Sequence, residues 1–185
     1  NLGIQLAKET DFEADLVIPV PDSGVPAALG FAEYSKKNFE LGLIRNHYVG
    51  RTFIEPTQNI RSLGVKLKLS STKTIVKNKS IILIDDSLVR GTTCHKIVKM
   101  LYEAGAKEVH VRIACPEIKF PDFYGVDMPS KEELLAHNKS NAEMCDYIEA
   151  KSLKFLSLDG LYKALGKGKR NNHYSQFSDH YFTGD

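Results

Sequence analysis

Two adjacent carboxylates, Asp85 and Asp86, directly follow the apolar run Ile81-Ile82-Leu83-Ile84. Such a run is typical of a strand buried on both faces, and open α/β sheets bind ligands at the carboxyl ends of their strands. The next residues, 87–93, bring small hydroxyls and Gly91 to the start of a predicted helix. Backbone N–H groups at a helix N-terminus bind phosphate, and glycine lets the main chain approach an anion closely.

The acid pair and the predicted phosphate site are neighbours, although carboxylates repel a phosphate. The conflict disappears if the ligand presents hydroxyls or a metal to the acids and its phosphate to the loop. A ribose 5-phosphate unit does this, because its 2′- and 3′-hydroxyls can donate to Asp85 and Asp86. N-capping of the helix by Asp86 or Ser87 is the simpler alternative, but it explains only one residue of the motif.

The rest of the chain predicts the elements that position this motif. Strands are expected at 16–20, 39–44, 80–84, 109–113 and 152–158, and helices at 2–7, 26–35, 93–104 and 161–165. Two further helices are expected after Ser130 and Ser140, where the capping-box pattern occurs. This alternation of strand and helix predicts a doubly wound, mainly parallel sheet.

Length and composition limit the function classes. A chain of 185 residues with 42% hydrophobic and 26% charged residues suits one globular domain. Its apolar runs are too short to cross a bilayer, and no leader pattern is visible, so neither membrane insertion nor secretion is predicted. The three cysteines form no CxxC pair, which favours free thiols in a reducing cytoplasm.

The charge is unevenly distributed. Residues 45–79 hold eight Lys or Arg against the single acid Glu55, a local charge of +7, so the remainder carries −5 of the net +2. A basic segment on a mildly acidic body favours an anion site over a nucleic-acid surface. Residues 45–73 also show no periodicity, which is typical of a functional or mobile loop.

These motifs resemble a known family. Residues 81–93 resemble the 5-phosphoribosyl diphosphate (PRPP) motif of type I phosphoribosyltransferases, and residues 20–24, 48–54, 104–110 and 123–127 extend the resemblance to the amidophosphoribosyltransferases. The resemblance implies an α/β fold with a mainly parallel sheet flanked by helices and a flexible lid loop at about 45–73. It also implies transfer of ammonia, drawn from glutamine in full-length enzymes, to C1 of PRPP, which yields 5-phosphoribosylamine and pyrophosphate as the first step of de novo purine synthesis.

The resemblance assigns roles to individual residues. It implies that Asp85, Asp86 and Arg51 are catalytic, and that Ser23, Asp85 and Asp86 hold Mg²⁺. It implies that PRPP is bound by Asp22, Ser23, Gly24, Asp85, Asp86, Ser87, Val89, Arg90, Gly91, Thr92, Thr93 and Lys66. Tyr48, Phe53 and Ile54 match a dry ammonia path, although ordinary core packing explains these apolar residues equally well.

The chain also departs from the family. No residue matches the N-terminal cysteine nucleophile of the glutaminase half, and the chain begins inside a predicted helix, so a fragment lacking the glutaminase domain is expected. Relatives with an iron–sulfur cluster have cysteines where this chain has Asp122, Ser178 and Tyr181, so no cluster is expected. The predicted organisation is a phosphoribosyltransferase domain at 1–165, truncated at its N-terminus, and a polar tail at 166–185.

The expected partners are PRPP, ammonia and further copies of the chain, in the cytoplasm, without nucleic acid or membrane. Two alternatives remain open. A nucleobase phosphoribosyltransferase would need an aromatic side chain stacked on a base, and the motif at 48–54 argues against it. A PRPP-sensing regulator of the same fold would need a DNA-binding helical module, which these 185 residues lack but a preceding N-terminal part could hold.

Overall fold

A five-stranded parallel sheet forms the centre of the protein. The structure is a computed structural model that describes residues 1–10, 12–45, 67–68, 73–121, 130–171 and 176–184. The strand order is β2-β1-β5-β6-β7, which confirms the predicted parallel sheet. The strands are β1 (Leu16–Pro19), β2 (Asn38–Phe39), β5 (Ser80–Asp85), β6 (Glu108–Ile113) and β7 (Ser152–Phe155), while β3 (Ile44–Arg45) and β4 (Leu67–Lys68) form a separate antiparallel pair.

Helices cover both faces of this sheet. They are α1 (Leu2–Glu9), α2 (Val25–Ser35), α3 (Lys73–Val76), α4 (Thr92–Glu103), α5 (Leu135–Asn138), α6 (Asn141–Tyr147), α7 (Leu158–Ala164) and α8 (His180–Thr183), with a 3₁₀ turn at Lys131–Glu133. No helix among these described ranges is both long and apolar enough to cross a membrane.

The alternation of side chains along β5 divides the core in two. Ile81 and Leu83 pack with Ile97 and Leu101 of α4 on one face of the sheet. Ile82 and Ile84 point to the other face and pack with residues of α1 and α2, including Leu6 and Phe31. Successive side chains of a strand point to opposite faces of the sheet, so a central strand with apolar cores on both faces needs a continuous apolar run. The four residues of this run, 81–84, are fully buried.

The pairing of β1 with β5 sets the position of the site. The register runs from Leu16 opposite Ile81 to Pro19 opposite Ile84. Both strands therefore end at the same edge of the sheet. The turn that follows β1 and the acid pair that ends β5 lie next to each other at that edge.

The predicted strand at 39–44 is wrong in extent. Only Asn38 and Phe39 pair with β1, and the backbone N–H of Glu40 makes the last bond, to the carbonyl of Val17 (3.0 Å). The chain then leaves the sheet so that Leu43 enters the core at 2% exposure. Gly42 allows this path, because a Cβ there would come within 2.6 Å of Ile18 Cδ1.

The two capping-box patterns have different outcomes. At Ser140 both bonds of the box form with Glu143, and α6 begins as predicted. At Ser130 no side chain caps the backbone, and only the short 3₁₀ turn follows. The reason is tertiary, because Glu133 bonds to Arg90 instead of turning back to Ser130.

The C-terminal residues that are described pack against the domain. Asp179 is 3% exposed and accepts hydrogen bonds from the Tyr162 hydroxyl of α7 (2.7 Å) and from Arg170 Nε (2.8 Å). A buried ion pair of this kind fixes the two segments to each other. The division of the chain at residue 165 stays a prediction.

Candidate active site

Asp85 is the last residue of β5, and Asp86 is the first residue beyond it. Asp85 is 8% exposed, and its carboxylate accepts a hydrogen bond from the backbone N–H of Asp86 (2.8 Å). Asp86 is exposed at the edge of the sheet. Burial, reinforced by the side chain of Asp86, raises the pKa of Asp85 to about 8. The buried acid is therefore largely protonated at neutral pH before a ligand binds.

The turn after β1 lies directly against these acids. It spans residues 21–24, and the peptide bond between Pro21 and Asp22 is cis. The backbone N–H of Val20 donates to the Ile84 carbonyl (2.8 Å), which ties the start of the turn to β5. Gly24 has no room for a side chain, because a Cβ there would come within 2.5 Å of the Ile84 carbonyl oxygen.

Ser23 joins the turn to the acid pair. Its hydroxyl donates to Asp86 Oδ1 (3.2 Å), and the hydroxyl of Ser87 approaches the same oxygen (3.4 Å). The prediction that Ser23 faces the same cleft as Asp86 is confirmed by this bond. The cleft therefore brings together two hydroxyls and two carboxyl groups from the ends of two adjacent strands.

The loop of residues 87–91, here called the phosphate loop, leads into α4. Gly91 is the N-cap of α4 with φ of 76°, and no side chain caps the helix. The alternative that Asp86 or Ser87 caps the helix is therefore wrong. The first N–H groups of this twelve-residue helix, together with the exposed Thr92 and Thr93, are available to an anion.

Three residues that the sequence did not single out support the phosphate loop. The backbone N–H of Leu135 donates to the Val89 carbonyl (2.9 Å), and Glu133 forms a two-pronged ion pair with Arg90 (3.3 Å for each bond). The side chains of Leu135 and Tyr147 crowd Gly91, since a Cβ there would come within 2.7 Å and 3.0 Å of them. Gly91 is thus required both by its φ and by its neighbours.

The donors in the cleft fit a magnesium ion. Within the described residues no group of three or more acidic, histidine or cysteine side chains could hold a metal by themselves. Mg²⁺ does not need such a group, because it binds through one or two carboxylates and takes its other ligands from water and substrate phosphates. Asp85, Asp86 and Ser23 offer hard oxygen donors of this kind.

The remaining residues assigned by the resemblance cannot be placed. Arg51, Lys66, Tyr48, Phe53 and Ile54 lie outside the described residues, as does most of the predicted lid at 45–73. Their roles stay predictions. The residues of the turn, the acid pair and the phosphate loop, in contrast, lie together at one edge of the sheet.

Comparisons with known proteins agree with this geometry. The profile of the phosphoribosyl transferase domain matches residues 3–140. The chain is 59% identical over its whole length to an amidophosphoribosyltransferase of Rhizobium etli, of which it covers 38%. It is 51% identical over 99% of its length to an amidophosphoribosyltransferase of Staphylococcus aureus, of which it covers 37%.

The solved structures give the same picture. The glutamine PRPP amidotransferase of B. subtilis, complexed with ADP and GMP, superimposes with a TM-score of 0.85 at 48% identity. That match covers all of this chain and 40% of the B. subtilis chain. The chain therefore spans about two fifths of the length of the relatives that it matches.

Proposed function

This chain belongs to the phosphoribosyl transferase domain family, and we propose that it is the PRPP-binding part of an amidophosphoribosyltransferase. In this proposal it transfers ammonia to C1 of PRPP and releases pyrophosphate, so that 5-phosphoribosylamine forms as the first step of purine synthesis. The similarity at 48–59% identity supports this activity over base salvage or PRPP sensing.

The observation that carries the proposal is the hydrogen bond from Ser23 to Asp86. It brings the turn after β1 and the acid pair after β5 into one cleft, beside the uncapped N-terminus of α4. These three parts match the three parts of PRPP. The turn would bind the pyrophosphate, the acids the ribose hydroxyls, and the helix N-terminus with Thr92 and Thr93 the 5-phosphate.

The reaction is a substitution at C1 of the ribose. The bond from C1 to the pyrophosphate oxygen breaks and its electron pair leaves with pyrophosphate, while the nitrogen lone pair of ammonia forms the new C–N bond. The resulting ammonium group loses a proton to solvent. Positive charge develops on the ribose in the transition state, and we assign to the carboxylates of Asp85 and Asp86 the role of stabilising it.

Asp85 can take this role only in its ionised form. Burial keeps the group uncharged at rest, whereas a nearby positive charge favours the ionised form. Ser23, Asp85 and Asp86 would hold Mg²⁺, which would supply positive charge against the negative charge of the pyrophosphate. The hydroxyl of Ser23 and the two carboxyl groups would hold the ion directly or through its water ligands.

Further parts of the proposal are supported by the family resemblance alone. Arg51 and Lys66 would act on the pyrophosphate from a closing lid, and Tyr48, Phe53 and Ile54 would line the ammonia path. Closure of a lid would exclude water, which competes with ammonia at C1. A glutaminase domain, a homo-oligomer and a cytoplasmic location are proposed on the same basis.

The test follows 5-phosphoribosylamine formation from PRPP, Mg²⁺ and ammonium at a pH high enough to supply free ammonia. Asp86→Asn should lower kcat on the order of 10- to 1000-fold, the scale of a lost preorganised electrostatic contact. Thr92→Ala should instead raise KM for PRPP more than it lowers kcat, because the 5-phosphate contact is equal in ground and transition states. Full activity of Asp86→Asn would contradict the assigned role.

A further inference from the structure

Residues 130–138, here called the brace, lie against the phosphate loop and bond to it. The brace contains the 3₁₀ turn Lys131–Glu133 and helix α5. Two of its residues bond to the loop. The N–H of Leu135 donates to the Val89 carbonyl, and the carboxylate of Glu133 accepts from Nε and Nη2 of Arg90. The brace thus touches the backbone and a side chain of consecutive loop residues.

The brace itself is well anchored. The side-chain amide of Asn138 donates to the carbonyls of Lys131, Glu132 and Leu134 at 2.9–3.0 Å, which closes the segment on itself. Leu134 and Leu135 are buried, and His137 Nδ1 bonds to the Lys119 carbonyl (2.9 Å). A segment held in this way can fix the position of whatever it bonds to.

The ion pair between Arg90 and Glu133 contributes little to the stability of the fold. Both side chains are 52% exposed, and exposed ion pairs contribute little to folding because solvent screens them. A two-pronged ion pair nevertheless fixes the orientation of the guanidinium relative to the carboxylate. Here it directs the Nε edge of the guanidinium toward the brace and gives that edge a carboxylate partner.

We propose that Glu133 is a positioning residue for PRPP binding. By holding the side chain of Arg90 against the brace, it keeps residues 89–91 in the conformation in which the N-terminus of α4 accepts the 5-phosphate. Arg90 then acts as a tether, and its guanidinium is not the main phosphate ligand. This inference rests on the proposed function.

The experiment compares four variants of the full-length protein: Glu133→Ala, Arg90→Ala, the double variant and Glu132→Ala. Glu132 is the matched control, since it carries the same charge on the same turn but bonds to Ser130 and not to the loop. Calorimetric titration with ribose 5-phosphate measures the Kd for binding at the phosphate loop and the N-terminus of α4, without turnover. Steady-state kinetics with PRPP, Mg²⁺ and ammonium then separate KM from kcat.

Glu133→Ala should raise Kd for ribose 5-phosphate and KM for PRPP about two- to fivefold, the range of an exposed ion pair, with kcat unchanged. Arg90→Ala should raise Kd and KM to a similar extent, and the double variant should be no worse than either single one. Glu132→Ala should match the unmodified protein. A purely structural role of Glu133 would not produce this division between KM and kcat.

Two results would overturn the inference while leaving the proposed function intact. One is unchanged ribose 5-phosphate binding in Glu133→Ala beside normal turnover of the unmodified protein. The other is a loss in Arg90→Ala that exceeds the loss in Glu133→Ala tenfold or more, which would make the guanidinium itself a phosphate ligand. If the unmodified protein neither binds ribose 5-phosphate nor uses PRPP, the proposed function fails and the inference fails with it.

Discussion

The carboxyl group of Asp85 lies at the point where a fully buried strand meets the ligand cleft. The hydrogen bond from the Asp86 N–H fixes the orientation of this carboxyl group. Burial, and secondly the side chain of Asp86, raise its pKa. Asp86 is exposed and accepts from Ser23. Two identical residue types in sequence therefore enter the cleft with different properties, because one belongs to the sheet and the other to the loop.

The raised pKa of Asp85 predicts a pH-dependent stability of the ligand-free protein. Between the ordinary Asp pKa near 4 and the folded-state pKa of about 8, the folded protein retains a proton that the unfolded chain has lost. The free energy of unfolding should therefore fall as pH rises through this window, by on the order of a few kcal/mol. Asp85→Asn cannot lose a proton there, so it should lack this fall.

Urea unfolding at intervals from pH 5 to 9 measures the effect as the difference between the unmodified protein and Asp85→Asn. The difference removes contributions from other groups, such as His110, whose pKa burial lowers. Asp86→Asn is an informative companion, because the side chain of Asp86 is one cause of the raised pKa. It should move the fall in stability to lower pH. Parallel pH profiles for the unmodified protein and Asp85→Asn would contradict the raised pKa.

Among the secondary-structure elements, local sequence determines where some helices start, whereas tertiary contacts determine this for others. Ser140 and Glu143 form a complete capping box at the start of α6. Ser130 and Glu133 have the same spacing but form no capping box, because the carboxylate of Glu133 forms an ion pair with Arg90 instead. The same sequence pattern therefore has a different energetic value at its two occurrences.

This difference predicts unequal effects of two equivalent substitutions. Ser140→Ala removes a side chain that accepts from the Glu143 N–H, and should lower the free energy of unfolding by about 1 kcal/mol. Ser130→Ala is the matched control and should cost clearly less, because its side chain caps no backbone group. Urea midpoints of the two variants, at equal slope, provide the comparison. Equal losses would show that the cap at Ser140 has no special role.

The elements that local pattern specifies were predictable from the sequence. The run Ile81–Ile84 and the acids after it indicated a buried strand and its ligand-binding end. The position of Ser23 in the same cleft was implied by the family resemblance, and its hydrogen bond to Asp86 confirms it. The support from Glu133 was not predictable, since 43 residues separate it from Arg90. The strand predicted at 39–44 failed because the burial of Leu43 outweighed strand pairing.

At the scale of the whole molecule, the sheet separates the tasks of stability and chemistry. The alternating side chains of β1 and β5 fill two apolar cores, one on each face. The polar groups of the candidate site come from the turns at the carboxyl edge, which the cores hold but do not include. Substitutions in these turns can therefore change activity while the folded state is kept.

The properties of the three thiols determine which nitrogen source this chain can use. A glutaminase of the cysteine type needs a reactive thiolate, and this chain has three cysteines. Burial raises the pKa of both Cys94 and Cys115 to about 12, and it also raises the pKa of Cys145. None of the three has the lowered pKa that activates a nucleophile.

The 185-residue chain should therefore form 5-phosphoribosylamine from PRPP with ammonium but not with glutamine. The proposed acceptor site consists of residues of this chain, whereas its cysteines remain protonated thiols. The assay supplies each nitrogen source separately, with Asp86→Asn as the control for a true reaction at the cleft. A Cys94→Ala, Cys115→Ala and Cys145→Ala triple variant should keep the ammonium-dependent rate within a few fold. Product from glutamine that disappears in the triple variant would contradict the prediction, because it would show that one of these thiols becomes a nucleophile.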